Sequence, residues 1–323
     1  MPDLRIKAIF VAQLVLAISI LCAVSGAAQA VEGGRSLYLL GKRGPLAGLI
    51  PKPGVYITDD IYHYSGSTDQ KLPVAGIVSQ NISGNATSNL FQATWITETQ
   101  LNDARVAYSF LLPYNHISSS AEGTATYSGV PINAELSDKV SAFGDPVVAA
   151  SLGWRNHKDD QLSAWNIYSS LFVPVGSYQV GRIANAGSNR WGLDVGTAYS
   201  RGNKKRGREF SGVFGVTFNG ENLDTGYQSG TEAHLELTYK QHLRSGWSGG
   251  LVGYANQQLT ADSGGPEVIG DFKGRVFAIG PEVGYQFKAG DKNVGLDLRW
   301  YHEFDAKNRV EGDGVFLTIS VGL

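Results

Sequence analysis

The chain has 323 residues, a formal net charge of −2 and no long basic run, which speaks against a nucleic-acid partner. Its 41 glycines follow no three-residue period and its prolines number only 11, so neither a collagen-like chain nor a disordered Pro/Gly polymer fits. Aromatics at 11% against charged residues at 17% suit a strand-rich chain with a partly apolar surface.

The N-terminus reads as an export signal. Arg5 and Lys7 are followed by an almost wholly apolar run from Ala8 to Val24, then by Ala28-Gln29-Ala30, a small-x-small cleavage pattern. Cleavage is expected after Ala30, which makes residues 1–30 a signal peptide. Cys22, the one cysteine, lies inside it, so a chain beginning at Val31 has no disulfide and no thiolate metal site. Residues 31–53, with Pro and Gly between Gly41 and Gly54, read as an irregular periplasmic segment that folds into the periplasmic mouth as a partial plug.

From residue 54 to 323 the dominant signal is alternation. In Glu232-Ala233-His234-Leu235-Glu236-Leu237-Thr238-Tyr239-Lys240 every odd position is apolar and every even one polar or charged. Arg190–Gly196, Phe277–Phe287 and Val294–Trp300 repeat it. Twelve strands are expected, near 54–64, 86–99, 104–116, 143–155, 160–174, 189–201, 208–219, 230–242, 246–258, 273–288, 292–304 and 313–323. Connections alternate in length. Gln100–Asp103, Asn156–Asp159, Gly202–Gly207, Leu243–Ser245 and Ala289–Asp291 are short, whereas Ser65–Asn85, Ile117–Ala142, Val175–Ser188 and Leu259–Phe272 are long.

A soluble periplasmic sandwich shares the two-residue period. Three features favour an all-β transmembrane antiparallel barrel of the outer-membrane type, with about 12 strands and 10 to 14 possible. The small-or-polar face carries charge deep in the strands. Aromatics (Trp154, Trp191, Tyr199, Tyr239, Trp247, Tyr285, Trp300) sit toward the ends of the apolar faces, as at membrane rims. The turn-and-loop asymmetry is that of such barrels. Closure follows from chemistry, because lipid offers no partner for an open sheet edge. At the C-terminus Leu317, Ile319, Val321 and Leu323 share a face, and this final strand resembles the signal read by barrel-assembly machinery.

Several segments together resemble a known family. They are Gly44-Pro45-Leu46-Ala47-Gly48, Pro51-Lys52-Pro53-Gly54-Val55-Tyr56, Phe172-Val173-Pro174-Val175-Gly176-Ser177-Tyr178, Ala184–Trp191, Thr225–Gly230, Asn256–Gly264 and Ile279-Gly280-Pro281. The set is similar to outer-membrane transporter proteins of the meta-pathway of phenol degradation, over nearly the whole chain after residue 30. The resemblance implies a bacterial outer-membrane barrel that passes small solutes, with aromatic compounds or their degradation intermediates as the class. It carries over no site residue.

Enzyme signatures are missing. The six histidines form no H-E-x-x-H and no spaced metal cluster, and there is no G-x-S-x-G. His234 between Glu232 and Glu236, or His302, leaves open a lipid-hydrolase reading, and a structural barrel without transport is the other alternative. Asp59-Asp60, Asp159-Asp160 and the loop Asp262–Glu267 lack calcium-loop spacing and read as solvated loop charges. Lys204-Lys205-Arg206-x-Arg208 falls in a short turn, where it either meets anionic headgroups or is simply solvated. By alternation Asp194, Glu232, His234, Glu236, Glu282, Asp297, Arg299 and Glu303 face the lumen. They either set solute preference or form pairs that hold the barrel shut. No catalytic residue and no cofactor is expected. The expected partners are outer-membrane lipid, a small hydrophobic or aromatic solute and the assembly machinery, with a monomer as the default state.

Overall fold

The computed structural model describes residues 35–74, 77–127, 130–264 and 273–323. The signal peptide and the 265–267 part of the acidic loop lie outside these residues.

In chain order the strands are β1 (Gly54–Thr68), β2 (Leu72–Val74), β3 (Ile77–Leu101), β4 (Ala104–Tyr127), β5 (Val130–Phe143), β6 (Val147–Lys158), β7 (Gln161–Phe172) and β8 (Gly192–Asn203). Then come β9 (Arg208–Asn219), β10 (Glu221–Asn222), β11 (Tyr227–Gln228), β12 (Glu232–His242), β13 (Trp247–Gln258), β14 (Arg275–Ala289), β15 (Lys292–Lys307) and β16 (Glu311–Gly322). Twelve of them close a ring in the order β1, β3, β4, β6, β7, β8, β9, β12, β13, β14, β15, β16, with β16 returning to β1 from Tyr56↔Gly322 to Ser67↔Glu311. This is the twelve-stranded antiparallel barrel that the alternation predicts. The short turns after β3, β6, β8, β12 and β14 gather at one end, the periplasmic end in outer-membrane barrels. Below it is called the turn end, and the opposite one the loop end.

Alternation sets the two faces. On β14, Ile279, Val283 and Phe287 point outward and exposed, while Val276, Ala278 and Glu282 point inward and are buried. Aromatics band the outer wall. Trp95, Tyr108, Tyr239 and Trp247 lie toward the turn end, where Trp154 stacks on Trp165 at 4.8 Å and Trp247 packs tilted against Tyr285 at 4.8 Å. Trp191, Phe218 and Phe304 lie toward the loop end. From Tyr285 to Phe277 on β14 is eight residues, or ~20 Å of height at ~3.3 Å per residue and a ~40° tilt, which suits the apolar band of such barrels. Tyr199 lies beside Trp165 on the same outward face, although it is buried where Tyr239 and Trp247 are exposed.

The link expected over 117–142 is instead strand. β4 runs on to Tyr127 and pairs with β5 from Tyr114↔Phe143 to Tyr127↔Val130. Ser, Thr and Asn dominate Ser83–Ser88 and Ser118–Ser120, so no apolar face marks these stretches as strand. Their backbone ladders hold them nonetheless. β5 and β6 continue one another along β4, broken at 144–146, and loop 173–191 packs into the break. There Ser177 N donates to Phe143 O at 3.0 Å, and Asp145 accepts from Gly176 N at 2.9 Å and Ser188 N at 2.6 Å.

The core lies inside the barrel. Leu90, Phe172, Val252, Tyr254, Val276, Tyr301 and Phe316 of the wall pack around Tyr38 and Leu40. Those two residues belong to the stretch 35–53, which descends through the lumen from the loop end to the start of β1.

Candidate functional site

The descending segment has no regular secondary structure, so its peptide groups need partners from elsewhere. The wall of β8, β9, β12 and β15, with Asn166 of β7 and Arg105 of β4, supplies them with polar side chains. Glu236 accepts from Gly41 N at 2.9 Å, Glu209 from Leu46 N at 2.8 Å and Ser200 Oγ from Gly48 N at 2.9 Å. Arg299 donates to Gly41 O at 2.6 Å, Asn166 to Ala47 O at 2.7 Å and Arg105 to Pro51 O at 2.6 Å. Side chains of the segment add to this. Ser36 Oγ donates to Glu232 at 2.6 Å, Lys42 pairs with Asp60 at 2.7 Å, and Tyr38 stacks on His234 with centroids 3.6 Å apart. Arg43 lies 3.5 Å over the Tyr168 ring. The approach is closest at Gly48, where a Cβ would meet Ser200 N at 2.5 Å and Tyr199 C at 2.7 Å. Gly41 takes φ +78°, which favours glycine, with the Tyr301 ring 2.8 Å from where a Cβ would stand.

The eight lumen candidates all point inward. Asp194 pairs with His234 at 3.0 Å and accepts from Thr217 at 2.8 Å. Glu282 and Asp297 share Lys240, whose contact with Glu282 is 2.9 Å. Arg299 binds Gly41 O, donates to Thr318 at 2.8 Å and stands 3.5 Å from Asp60. Glu303 accepts from Tyr64 at 2.6 Å, Tyr254 at 2.8 Å and Gly312 N at 3.0 Å. Glu232, His234, Glu236 and Arg299 therefore touch the segment directly, whereas Asp194, Glu282, Asp297 and Glu303 brace the wall. Asp60, read from sequence as a loop charge, is fully buried in β1 and anchors both Lys42 and Arg299. Its outward neighbour Asp59 and the Asp pairing itself gave no hint of this. The period-two parity that separates them was the available signal. Asp159 and Asp160 are exposed in the β6–β7 turn.

The other side of the lumen is open. A cavity of about 1430 Å³ runs between the segment and the wall of β1, β3, β4, β6 and β7. Its lining reaches from Ile82, Ser119 and Val310 near the loop end to Ile50, Tyr56 and Ile96 near the turn end. From β3, β4, β6 and β7 it receives Ser88, Leu90, Gln92, Thr94, Ser109, Leu111, Ser151 and Ser170, all uncharged. Glu303 is the single member of the eight candidates that lines it.

At the loop end the chain folds over itself. Asp262 accepts from Gly230 N at 2.6 Å and also from Tyr227 and Gln258. It is thus held, not freely solvated as the sequence suggests, and burial pushes its carboxyl up to about 6. Among the described residues neither His234 nor His302 has a serine at hydrogen-bond distance; His302 faces outward against Asp313 at 3.0 Å. Among the described residues no cluster of three or more His, Cys, Asp or Glu could hold a metal ion.

Comparison with known proteins places this architecture. The crystal structure of an outer membrane channel from Pseudomonas putida superposes with TM-score 0.62 at 14% identity, covering 88% of this chain and 99% of that one. The β-domain of a Bordetella autotransporter gives TM-score 0.47 at 9% identity, covering 84% of this chain and 100% of that one. The transport unit of an Escherichia coli autotransporter gives 0.46 at 8% identity, covering 88% and 92%. No curated protein matches the sequence. The family described as the putative MetA-pathway of phenol degradation matches residues 66–319, and with the barrel on the page the conclusion is direct: this chain is a member of that family.

Proposed function

We propose that the protein is a passive outer-membrane channel for small solutes, in which residues 35–53 act as a fixed partial plug and passage follows the uncharged side of the lumen. The observation that carries this reading is the cavity of about 1430 Å³ whose lining comes from both ends of the barrel. Conduction requires sites weak enough to release the solute, and a wall of Ser, Thr and Gln with interspersed Leu and Tyr offers such contacts. The likeness of fold to an outer membrane channel supports the same reading.

The solute class follows from the lining. Its ionisable side chains are Arg35, Lys42, Arg43, Arg190, Lys288, Lys292 and Arg309 against Asp145, Asp291 and Glu303, seven cations to three carboxylates. Tyr56, Tyr62, Tyr64 and Tyr254 line it too. A small aromatic compound, neutral or anionic, meets both features, and the family's description points the same way. The test is single-channel conductance of the refolded protein in a planar bilayer, with and without phenol or benzoate. Discrete steps blocked by the aromatic are expected. Absence of steps from protein that migrates heat-modifiably, and so is folded, overturns the channel.

A further inference from the structure

The outer wall carries a second site, unrelated to the lumen. At the turn end, between β7, β8, β9 and β12, a crevice of about 300 Å³ is lined by Gln161, Arg201, Arg206, Arg208, Phe210 and Tyr239. Register places Arg201 beside Phe210 and Phe210 beside Tyr239, one row across three adjacent strands. Parity turns this row outward, because the neighbours Ser200, Ser211 and Lys240 make their bonds in the lumen. Glu209 also borders the crevice, but its carboxylate is turned inward, accepting from Leu46 N at 2.8 Å and meeting His242 Nε2 at 2.8 Å. Among the described residues no ion pair involves Arg201, Arg206 or Arg208. The side chain of Arg201 bonds only the neutral Gln161, at 2.9 Å. Exposed Lys204, Lys205 and Arg244 extend the same basic edge.

The position matters as much as the charge. Tyr239 (46% exposed) and Trp247 (50% exposed) belong to the aromatic band of the turn end, which marks the boundary between acyl chains and headgroups. Arg201 shares a register row with Tyr239, and Arg206 and Arg208 lie nearer the turn, toward headgroup depth. Guanidinium forks match phosphate oxygens in pairs, and aromatic side chains beside them offer a surface to the first methylenes of an acyl chain. We infer that this crevice binds the phosphodiester headgroup of an anionic phospholipid of the periplasmic leaflet, with Arg201, Arg206 and Arg208 on the phosphate and Phe210 and Tyr239 against the chain. Anionic lipid is favoured over zwitterionic lipid because, among the described residues, none of the three arginines is paired with a carboxylate.

The test uses the whole protein in mixed micelles and native mass spectrometry, with phosphatidylglycerol and phosphatidylcholine as probes. Wild type retains phosphatidylglycerol in preference to phosphatidylcholine. The variant R201Q/R206Q/R208Q loses about tenfold in that retention. The matching Lys variant keeps the charge without the fork and recovers part of it. Heat-modifiable migration shows that each variant is folded, and conductance stays at the wild-type level. Equal retention of the two lipids by wild type, or an unchanged Gln variant, overturns the site. Displacement of phosphatidylglycerol by equimolar inorganic phosphate overturns the lipid as its occupant and leaves a free-anion site.

Discussion

The two halves of the lumen are built from the same alternating strands and do opposite things. Across β8, β9, β12, β14 and β15 the inward side chains are Asp194, Glu209, Glu232, His234, Glu236, Lys240, Glu282, Asp297 and Arg299, nearly all buried. Across β3, β4, β6 and β7 the side chains that line the cavity are uncharged. The charged half is therefore the binding wall of the N-terminal segment. A segment without helix or ladder presents bare N–H and C=O groups, and carboxylates and guanidiniums are the acceptors and donors that satisfy them most strongly. The other half holds the segment at fewer points, through Asn166 and Arg105, and leaves the cavity beside it. Charge inside a barrel thus marks where the chain is fastened as readily as where ions travel.

The harshest way to break this contrast is to remove what the charged half holds. Deleting residues 35–50 is expected to roughly double the single-channel current or more, as the charged wall joins the pathway. Equal currents before and after would mean that the segment does not obstruct flow. Next in size is Asp60→Ala, which leaves Lys42 and Arg299 facing each other without their shared carboxylate. Breaking a buried pair from one side costs about 3 kcal/mol, read as a lower urea midpoint for the refolded barrel. In the neutral half the same class of change acts differently. Thr94→Asp places a carboxylate on the open wall, where water can solvate it. Stability should change by less than about 0.5 kcal/mol, while the reversal potential in a salt gradient moves toward cation preference.

The barrel was legible because lipid outside and polar lumen inside impose period two on almost every strand. Twelve strands and the side of each turn follow from that one constraint. The upper parts of β3, β4 and β5 were not legible, because polar residues on both faces carry no period even where the backbone ladder is complete. The inward direction of Asp194, Glu236 and Arg299 could be read from parity. What Glu236 and Arg299 touch could not, since their partners Gly41 and Lys42 lie about two hundred residues or more away in an aperiodic stretch whose contacts are mostly peptide groups. Peptide groups have no sequence signature. Asp60 was misjudged for the related reason that an Asp-Asp pair suggests a loop until the strand around it assigns one residue to each face.

The smallest effect lies at the loop end, at the carboxyl of Asp262. Asp262 sits at about 6, against an ordinary value near 4, because burial outweighs the hydrogen bonds from Tyr227, Gly230 and Gln258. With the folded value raised, the closed arrangement binds a proton more tightly than the open one. Its stability is fully present below about 4 and declines as pH rises through about 6. The protonated carboxyl donates to Tyr227 Oη while Oδ1 still accepts from Gly230 N, so the contacts survive protonation. Asp262→Asn keeps the same shape without a titration, and its loop should show one amide-exchange rate for Gly230 from pH 5 to 7.5, after correction for intrinsic exchange. Wild type should open more at the upper end of that range. Tyr227→Phe removes a donor that favours the charged form, so the carboxyl midpoint followed by NMR should rise further; a midpoint that falls would show that the phenol, not burial, sets the carboxyl's protonation.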